Sequence, residues 1–465
     1  MRHAFTSRTG RVAVIAVIAL SVLATACGRS GSSEDSSSTT AGSGTSAKCK
    51  DAKLEATEIG VTADTITVQV MADVGSPLAP GLFQGNVDAV KAWAQWANDN
   101  GGVGCRQVKV LEWDSKMDPT EAKNGLINGC QNALALVGDN ALFNPDTTTL
   151  GNCADKAGQP VGLPNFVGLA NDANESCQPA TWNVQSISEL CTGTITGVRD
   201  LQTQGGMYKW FAKNLAPDNE FFLVPGDLPT TVQSSTYIMA SQKAAGINVV
   251  GSTKVSSRAE QSAYTPYLQA AKAAGANSIY NGSNSNVMLK AQKEAKAQGV
   301  LGDYKWAGSL SIYDKTYTSA DPSITNGTYA GLSQLPWDEA DKSPGLAAYL
   351  KYIGGVDKAD ALGANGFMAG IAFKETVDAI VAAKGPNAIT RASVIEGLKT
   401  AKSDFMGWIG QPKGGKDIMP CFMVVQIQDG KWKRVYPTAA GQLDCASDSR
   451  IVVKLDTAAE AAKIP

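Results

Sequence analysis

Histidine is all but missing: the only one in 465 residues is His3. That absence excludes Ser-His-Asp and Cys-His catalysis and HExxH zinc sites. It also removes the commonest general base and metal ligand. None of the nine cysteines sits in a CxxC, so neither a zinc knuckle nor a thioredoxin-type dithiol is indicated. No acidic cluster has metal-loop spacing, and no metal or cofactor is expected. A formal net charge of −2 and the lack of a long basic run leave no electrostatic footprint for nucleic acid. The apolar run 12–26 is shorter than the roughly 20 residues a membrane span needs.

That run is informative in another way. It follows Arg2, Arg8 and Arg11 and ends in small residues, which reads as an export signal over 1–26. Cys27 comes directly after it. Leu-Ala-Thr-Ala-Cys resembles a bacterial lipobox, although the position that prefers Leu, Val or Ile holds Ala24, with Leu23 one place further back. The resemblance implies lipidation of Cys27 by at least two chains, enough for firm anchoring. The alternative is a secreted protein whose Cys27 is incidental. Residues 28–47 contain no hydrophobe larger than alanine, too little apolar surface to offset ordering. They read as a tether spanning roughly 25 Å. Removing 1–26 takes away three arginines and no acid, so the mature charge is about −5.

The remaining length suits two or three domains. Cys49, Cys105, Cys130, Cys153, Cys177, Cys191, Cys421 and Cys445 form an even set in an exported chain, the composition of a disulfide protein. Eight cysteines allow 105 pairings. Local logic favours each cysteine with its neighbour in the chain, and free buried thiols are the alternative.

Strands and helices alternate in two series. Residues 65–72 (TITVQVMA) and 108–113 read as strands. Residues 86–100 carry Val87, Val90, Ala94 and Ala97 at helical spacing. Asp118, Pro119 and Glu121 mark a helix start with an acidic cap and proline at N1. The fully apolar 133–137 fits a strand covered on both faces. A further unit leads from 159–161 to 166–167. The rhythm restarts after Trp210, with strands at 221–224, 247–251, 277–280 and 304–307. Helices are expected at 230–245, 264–274 and 287–298. Two such series imply two doubly wound lobes with ligand loops at the carboxyl ends of their strands.

At this level the chain resembles the type 1 periplasmic solute-binding proteins of the leucine/isoleucine/valine-binding family. The residues that carry the likeness are the strand into Asp73-Val-Gly-Ser-Pro77, the helix ending Trp96-Ala-Asn-Asp-Asn-Gly-Gly102, then 108–114, Asp118-Pro119 and 133–138. A late helix at 363–380 and a closing hairpin at 424–437 also fit, so the likeness covers roughly 54–440. The stretch 189–204, with Cys191, departs from the usual chain. The resemblance implies an α/β fold of two Rossmann-like lobes joined by a three-strand hinge, with passages near 182–188, 331–337 and 407–421. It also implies that Cys130 and Cys153 are paired. The expected division is 1–26 signal and 27–50 lipidated cysteine with tether. Lobe 1 is 51–185 with 335–412, lobe 2 is 186–334 with 413–450, and a tail occupies 451–465.

The family seats an amino acid on hydroxyl and N–H donors of two first-lobe loops. By position these are 139–144, with Asn140 and Leu142, and 167–171, with Gly168, Leu169 and Asn171. Leu142 stands where amino-acid binders put serine, and Asn171 where they put threonine. The second lobe shows no ammonium-binding acid near 308–311, and Asp227 is the candidate substitute. Ser76, Gln185, Ser186, Ser283, Asn284 and Ser309 complete the expected cleft, each with loop structuring as its ordinary alternative. Other features have plain readings. Trp93 and Trp96 read as core or interlobe packing, with ligand stacking as the alternative, and Glu112 with Asp114 reads as a surface pair, with a catalytic pair as the alternative. Stretch 410–416 has P-loop spacing but is followed by Asp417 rather than Ser or Thr, so it reads as a flexible turn with Lys413 and Lys416 solvated. The resemblance implies a non-enzymatic binding component of an ABC importer. It would capture a small polar or amphipathic solute, an amino acid or related compound including the branched-chain ones, and pass it to a membrane permease. The alternatives are a ligand sensor on the same fold and an exported carboxylate-type hydrolase.

Overall fold

The computed structural model describes residues 48–50, 52–77, 79–170, 173–186, 191, 196–215 and 219–465. The signal segment, Cys27, the tether to residue 47 and Asn171 lie outside the described residues.

The first series runs β1 (Thr65–Ala72), α1 (Gln84–Asp99), β2 (Gln107–Asp114), α2 (Pro119–Asn132), β3 (Ala135–Asp139), β4 (Asn165–Ala170) and β5 (Thr181–Ser186). Its strands form a parallel sheet in the order β2-β1-β3-β4-β5. From Val68 onward β1 is buried on both faces, as is all of β3, the signature of a helix-covered parallel sheet. Asp118 accepts from the N–H groups of Thr120 and Glu121 and so caps α2, with Pro119 at N1. No strand forms at 159–161; Pro160 has no N–H to give a ladder, and only an isolated bridge to Ala154 remains.

The second series runs β6 (Arg199–Gln204), α3 (Gly206–Asn214), β7 (Glu220–Pro225), α4 (Pro229–Ala244) and β8 (Val249–Val255). It continues with α5 (Thr265–Ala273), β9 (Ser278–Asn281), α6 (Ser285–Ala297), β10 (Lys305–Gly308) and β11 (Tyr329–Leu332). β8 begins later than the apolar cluster 247–250 implied. Ile247 still belongs to the turn, its N–H donating to the Gln242 carbonyl, and the ladder with β7 reaches Val255.

The chain then returns to the first sheet as α7 (Pro344–Ile353), α8 (Ala364–Lys384), α9 (Arg391–Leu398) and the small hairpin β12 (Lys402–Ser403) with β13 (Lys413–Gly414). α8 lies against α1, β3 and β4. Trp93 of α1 is fully buried there, edge-on to Phe373 at 5.9 Å. Gly370 makes room for it: a Cβ there would come within 2.1 Å of the indole. Trp96 packs near Phe367. Trp93 is a core residue, and Trp96 is a partly buried one packed against the core.

Last come β14 (Met423–Gln428), β15 (Lys431–Tyr436), β16 (Arg450–Leu455) and α10 (Thr457–Ala461). β14 and β15 extend the second sheet antiparallel, giving β15-β14-β11-β10-β9-β7-β8. Residues 451–465 are folded: β16 pairs with β6, α10 packs on α4, and the Pro465 carbonyl accepts from Lys254 N–H. The chain therefore passes between the sheets three times, after β5, after β11 and before β14.

Four disulfides join neighbouring cysteines: Cys49–Cys105, Cys130–Cys153, Cys177–Cys191 and Cys421–Cys445. Cys130–Cys153 closes a separation of 23 residues between α2 and the segment leading to β4. Its removal by paired serine substitution is expected to cost about 3 kcal/mol in the chain-entropy account, read as a lower urea midpoint. An unchanged midpoint would contradict this. Among the described residues no helix is long and apolar enough to cross a membrane.

Candidate functional site

The carboxyl ends of both sheets open onto one cavity of about 290 Å³. On the first-lobe side Asp73, at the end of β1, is fully buried and organises the loops. It accepts from Ser115 Oγ and Met117 N–H, each at 2.6 Å, and from Leu142 N–H at 2.8 Å. Burial raises its carboxyl above the usual range, and these hydrogen bonds oppose the rise. Asp114 structures the neighbouring turn rather than forming an acid pair with Glu112. It accepts from the N–H groups of Val74, Gly75 and Lys116, and a side chain at Gly75 would collide with it. Glu112 pairs with Lys91 at the surface.

These loops bring Leu82, Phe83, Met117, Leu142 and Leu169 into the cavity, with Gln185 and Ser186 from the end of β5. Ser76, Asn140 and Gly168 do not line it. Ser76 is buried elsewhere. Asn140 lies beneath the loop among Asn86 and Asn365, where a Cβ on Gly168 would stand 2.8 Å from Asn140 Oδ1. Close packing of this polar layer is why Gly168 is needed and why Asn140 is withdrawn from solvent. Below the same loop, buried Asp139 and Glu175 share Asn165, whose Nδ2 is 3.2 Å from an oxygen of each. Burial pushes Asp139 up to about 6.

From the second lobe come Asp227, Ser283, Asn284 and Ser309. Burial would raise the Asp227 carboxyl, but bonds from Ser256 Oγ, Ser257 N–H and Ser257 Oγ, at 2.6–2.8 Å, and nearby Arg258 outweigh it and hold it below the usual range. Asn284 caps α6 through Val287 N–H, and Ser309 caps the turn at 310–312. These residues thus both line the cavity and shape its loops. The lobes meet across it: Thr230 Oγ1 donates to the Leu142 carbonyl at 2.9 Å, and Gln185 Nε2 to Ser333 Oγ at 3.2 Å.

Much of the wall was not foreseen. α4 contributes Thr231, Ser234 and Ile238, spaced i, i+3, i+7 on one face; hydroxyls recurring at core spacing were the available signal. Gln204 of β6, at the end of the stretch that departs from the family, and Met207 and Tyr208 of α3 carry no such signal. Met419 and Phe422 come from the third passage.

That passage also corrects the reading of 410–416. It is a turn, but Lys413 is only 1% exposed. Lys413 Nζ sits 4.6 Å above the Trp182 ring and donates to the Asn183 carbonyl. Lys416 donates to the carbonyls of Ser176 and Gln178. Burial lowers both ammonium groups to about 7. With Asn183 N–H bonded to the Gly415 carbonyl, residues 413–416 are clamped to β5 of the first sheet.

An outer compartment of about 430 Å³ adjoins the cavity, sharing Leu82, Ser257, Asn284, Leu310 and Leu362. Arg258, Asp314 and Asp360 line it. Asp314 accepts from Ser285 Oγ and Tyr317 N–H, and Asp360 from Gly363 N–H.

Residues 65–431 match a family described as periplasmic binding protein. No curated protein matches the sequence. Similar solved structures include an ABC-transporter substrate-binding protein from Aeropyrum pernix, with 11% identity over 86% of this chain and 100% of that one, TM-score 0.64. A fatty acid ABC transporter substrate-binding protein from Thermomonospora curvata has 14% identity over 84% and 95%, TM-score 0.61. A leucine-binding protein from Thermotoga maritima has 14% identity over 80% and 97%, TM-score 0.60. The structures share the fold, and the family match spans most of the chain. Two doubly wound lobes, three passages between them and one interlobe cavity at the strand ends accompany that match, and the chain belongs to the type 1 periplasmic binding proteins.

Proposed function

We propose that this protein is the extracytoplasmic solute receptor of an ABC importer, anchored by lipid on Cys27, which closes its lobes on a small amphipathic solute and presents it to a permease without covalent chemistry. The observation that carries the reading is the cavity itself: loops from both sheets, far apart in sequence, converge on one chamber between lobes joined by three passages. Hinge closure is the transition such an arrangement serves. The carboxylates around it are engaged as caps and loop ties, which suits binding rather than hydrolysis. Leu142 in place of a donor hydroxyl weakens the case for an amino acid held by its carboxylate. The neighbours named for a fatty acid and for leucine bracket the polarity range to be searched.

A thermal-shift screen of the mature protein over amino acids, amides, ureas, alcohols and short carboxylates tests the reading. A solute at 100 times its Kd should stabilise the native state by about 2.7 kcal/mol, and cells lacking the protein should lose uptake of that solute. Failure of every compound to raise the melting temperature, or uptake that persists without the protein, would overturn it. Cys27→Ala should move the protein from the membrane fraction to the soluble extracytoplasmic fraction; retention of the variant in detergent-free membranes would remove the anchor.

A further inference from the structure

We propose that Met207 closes the hinge end of the chamber and sets the longest apolar end that a solute carries into it. The proposal rests on the solute-receptor reading above and narrows it to solutes whose apolar end enters first. The chamber has two unlike ends. Leu82, Asn284 and Leu310 are shared with the outer compartment and mark the mouth, beyond which lie Arg258, Asp314 and Asp360. Met207, Leu332, Met419 and Phe422 line the chamber and not the outer compartment. Leu332 belongs to the second passage, and Met419 and Phe422 to the third. An amphipathic solute therefore gains most with its polar end at the mouth and its apolar end against the hinge.

Three consecutive residues build that end, and each is pinned to a different late segment of the chain. Gly205 lies against β16: a Cβ there would stand 2.3 Å from Ile451, and its N–H donates to the Ser449 carbonyl. A Cβ on Gly206 would fall 2.4 Å from the Phe422 ring. Met207 lies over Gly331 of β11, where a Cβ would meet the Met207 Sδ at 2.1 Å. The neighbouring wall is held as firmly. Phe422 N–H donates to the Asp444 carbonyl and Asp444 N–H to the Phe422 carbonyl, beside the Cys421–Cys445 disulfide. The Phe422 ring packs 5.7 Å from that of Tyr436. The backbone under this end is thus fixed, and side-chain volume decides where the chamber stops. Met207 is only partly buried and lines the chamber, so a solute reaches it. Methionine adapts its shape to what it meets. The stop is therefore set by its bulk and by Gly331 behind it.

The test is calorimetric titration of the full chain with two homologous series, 1-alkanols of four to ten carbons and n-alkyl carboxylates of four to fourteen. In the series that binds more tightly, affinity should rise about fourfold with each carbon, the worth of one buried methylene, and then level off at a fixed length. Met207→Ala removes the side chain beyond Cβ and should move that stop outward by about two or three carbons. Gly331→Ala should act in the opposite sense. The backbone at Gly331 lies outside the left-handed region, and the nearest atoms a Cβ would meet all belong to Met207. The added methyl should push Met207 into the chamber and bring the stop at least about one carbon earlier. Combining Met207→Ala with Gly331→Ala should restore the parent's stop or pass it. Weakening that is uniform at every length, with the stop unmoved, is the behaviour of a residue that only packs, and would overturn the proposal. So would affinity that climbs through the longest member in the parent, or loss of folding in both single variants. Failure of both series to bind the parent would overturn it too, while leaving the solute-receptor reading in place; that reading falls only if the wider screen finds no ligand at all.

Discussion

Trp182→Ala is expected to cost about 3–5 kcal/mol of stability, the range for emptying a buried aromatic site, and to weaken solute binding with it. Trp182 is fully buried on β5. Its ring lies near Phe166 of β4 and edge-on to Phe405, 5.9 Å away, and its Nε1 donates to the Ala401 carbonyl. Lys413 Nζ sits above the ring, and Gly415 is so close that a Cβ there would fall 2.2 Å from it. One side chain thus joins the strand that leads into the first passage to the segment that leads into the third. Three residues after it, Gln185 begins the part of β5 that lines the cavity. Losing the indole would leave a void, an unpaired carbonyl and an ammonium without its aromatic cover. The urea midpoint should fall with an unchanged slope. A variant as stable as the parent would show that the passages are held by other contacts.

The parts of this architecture that were legible in the sequence are those governed by local periodicity. The β-branched run of β1, the apolar 133–137 and the Asp118-Pro119 helix start all declare themselves, because strand and helix burial leave periods of 2 and 3.6 in the chain. The strand-end rule and the family resemblance together then pointed to eight of the residues that line the cavity; Leu142, Leu169 and Asp227 came from the resemblance. What was hidden depends on contacts between distant segments. Lys413 and Lys416 look solvated beside three glycines, and only the return of this turn onto β5 buries them. Ser76 and Asn140 sit in the right loops, but which loop residue points into the chamber is set by the packing of Asn86, Asn365 and Gly168 beneath. Gln204 lies in a short edge ribbon whose partner, β16, is some 250 residues away, so nothing near it in sequence marks it as a cavity residue.

The buried ionisable groups make a second large effect, on pH dependence. Glu220 begins β7, is 2% exposed, and burial raises its carboxyl to about 8. Between its unfolded value near 4.5 and about pH 8 the native state holds a proton that the unfolded chain has released. Its stabilising contribution is therefore full below 4.5 and lost as pH rises through 8. Lys413 acts in the opposite direction. Its ammonium is lowered from 10.5 to about 7, mainly by burial. Between those values the unfolded chain holds the extra proton, so stability rises with pH from about 7 upward. Each decade in which only one state is protonated is worth about 1.4 kcal/mol, so each limb amounts to a few kcal/mol. Glu220→Gln should match the parent at pH 4.5 and exceed it by a few kcal/mol at pH 8, because the amide has no proton to lose. Lys413→Met should exceed the parent most below pH 7, and that advantage should shrink steadily toward pH 9.5. Loss of the bond to the Asn183 carbonyl adds an offset to the second variant, but one that does not vary with pH. Urea unfolding of the three proteins from pH 4.5 to 9.5 separates the limbs. A difference from the parent that stays flat with pH in either variant would mean that the buried group keeps its ordinary ionisation, through water reaching Glu220 or through the Trp182 ring and the carbonyl sustaining the Lys413 charge.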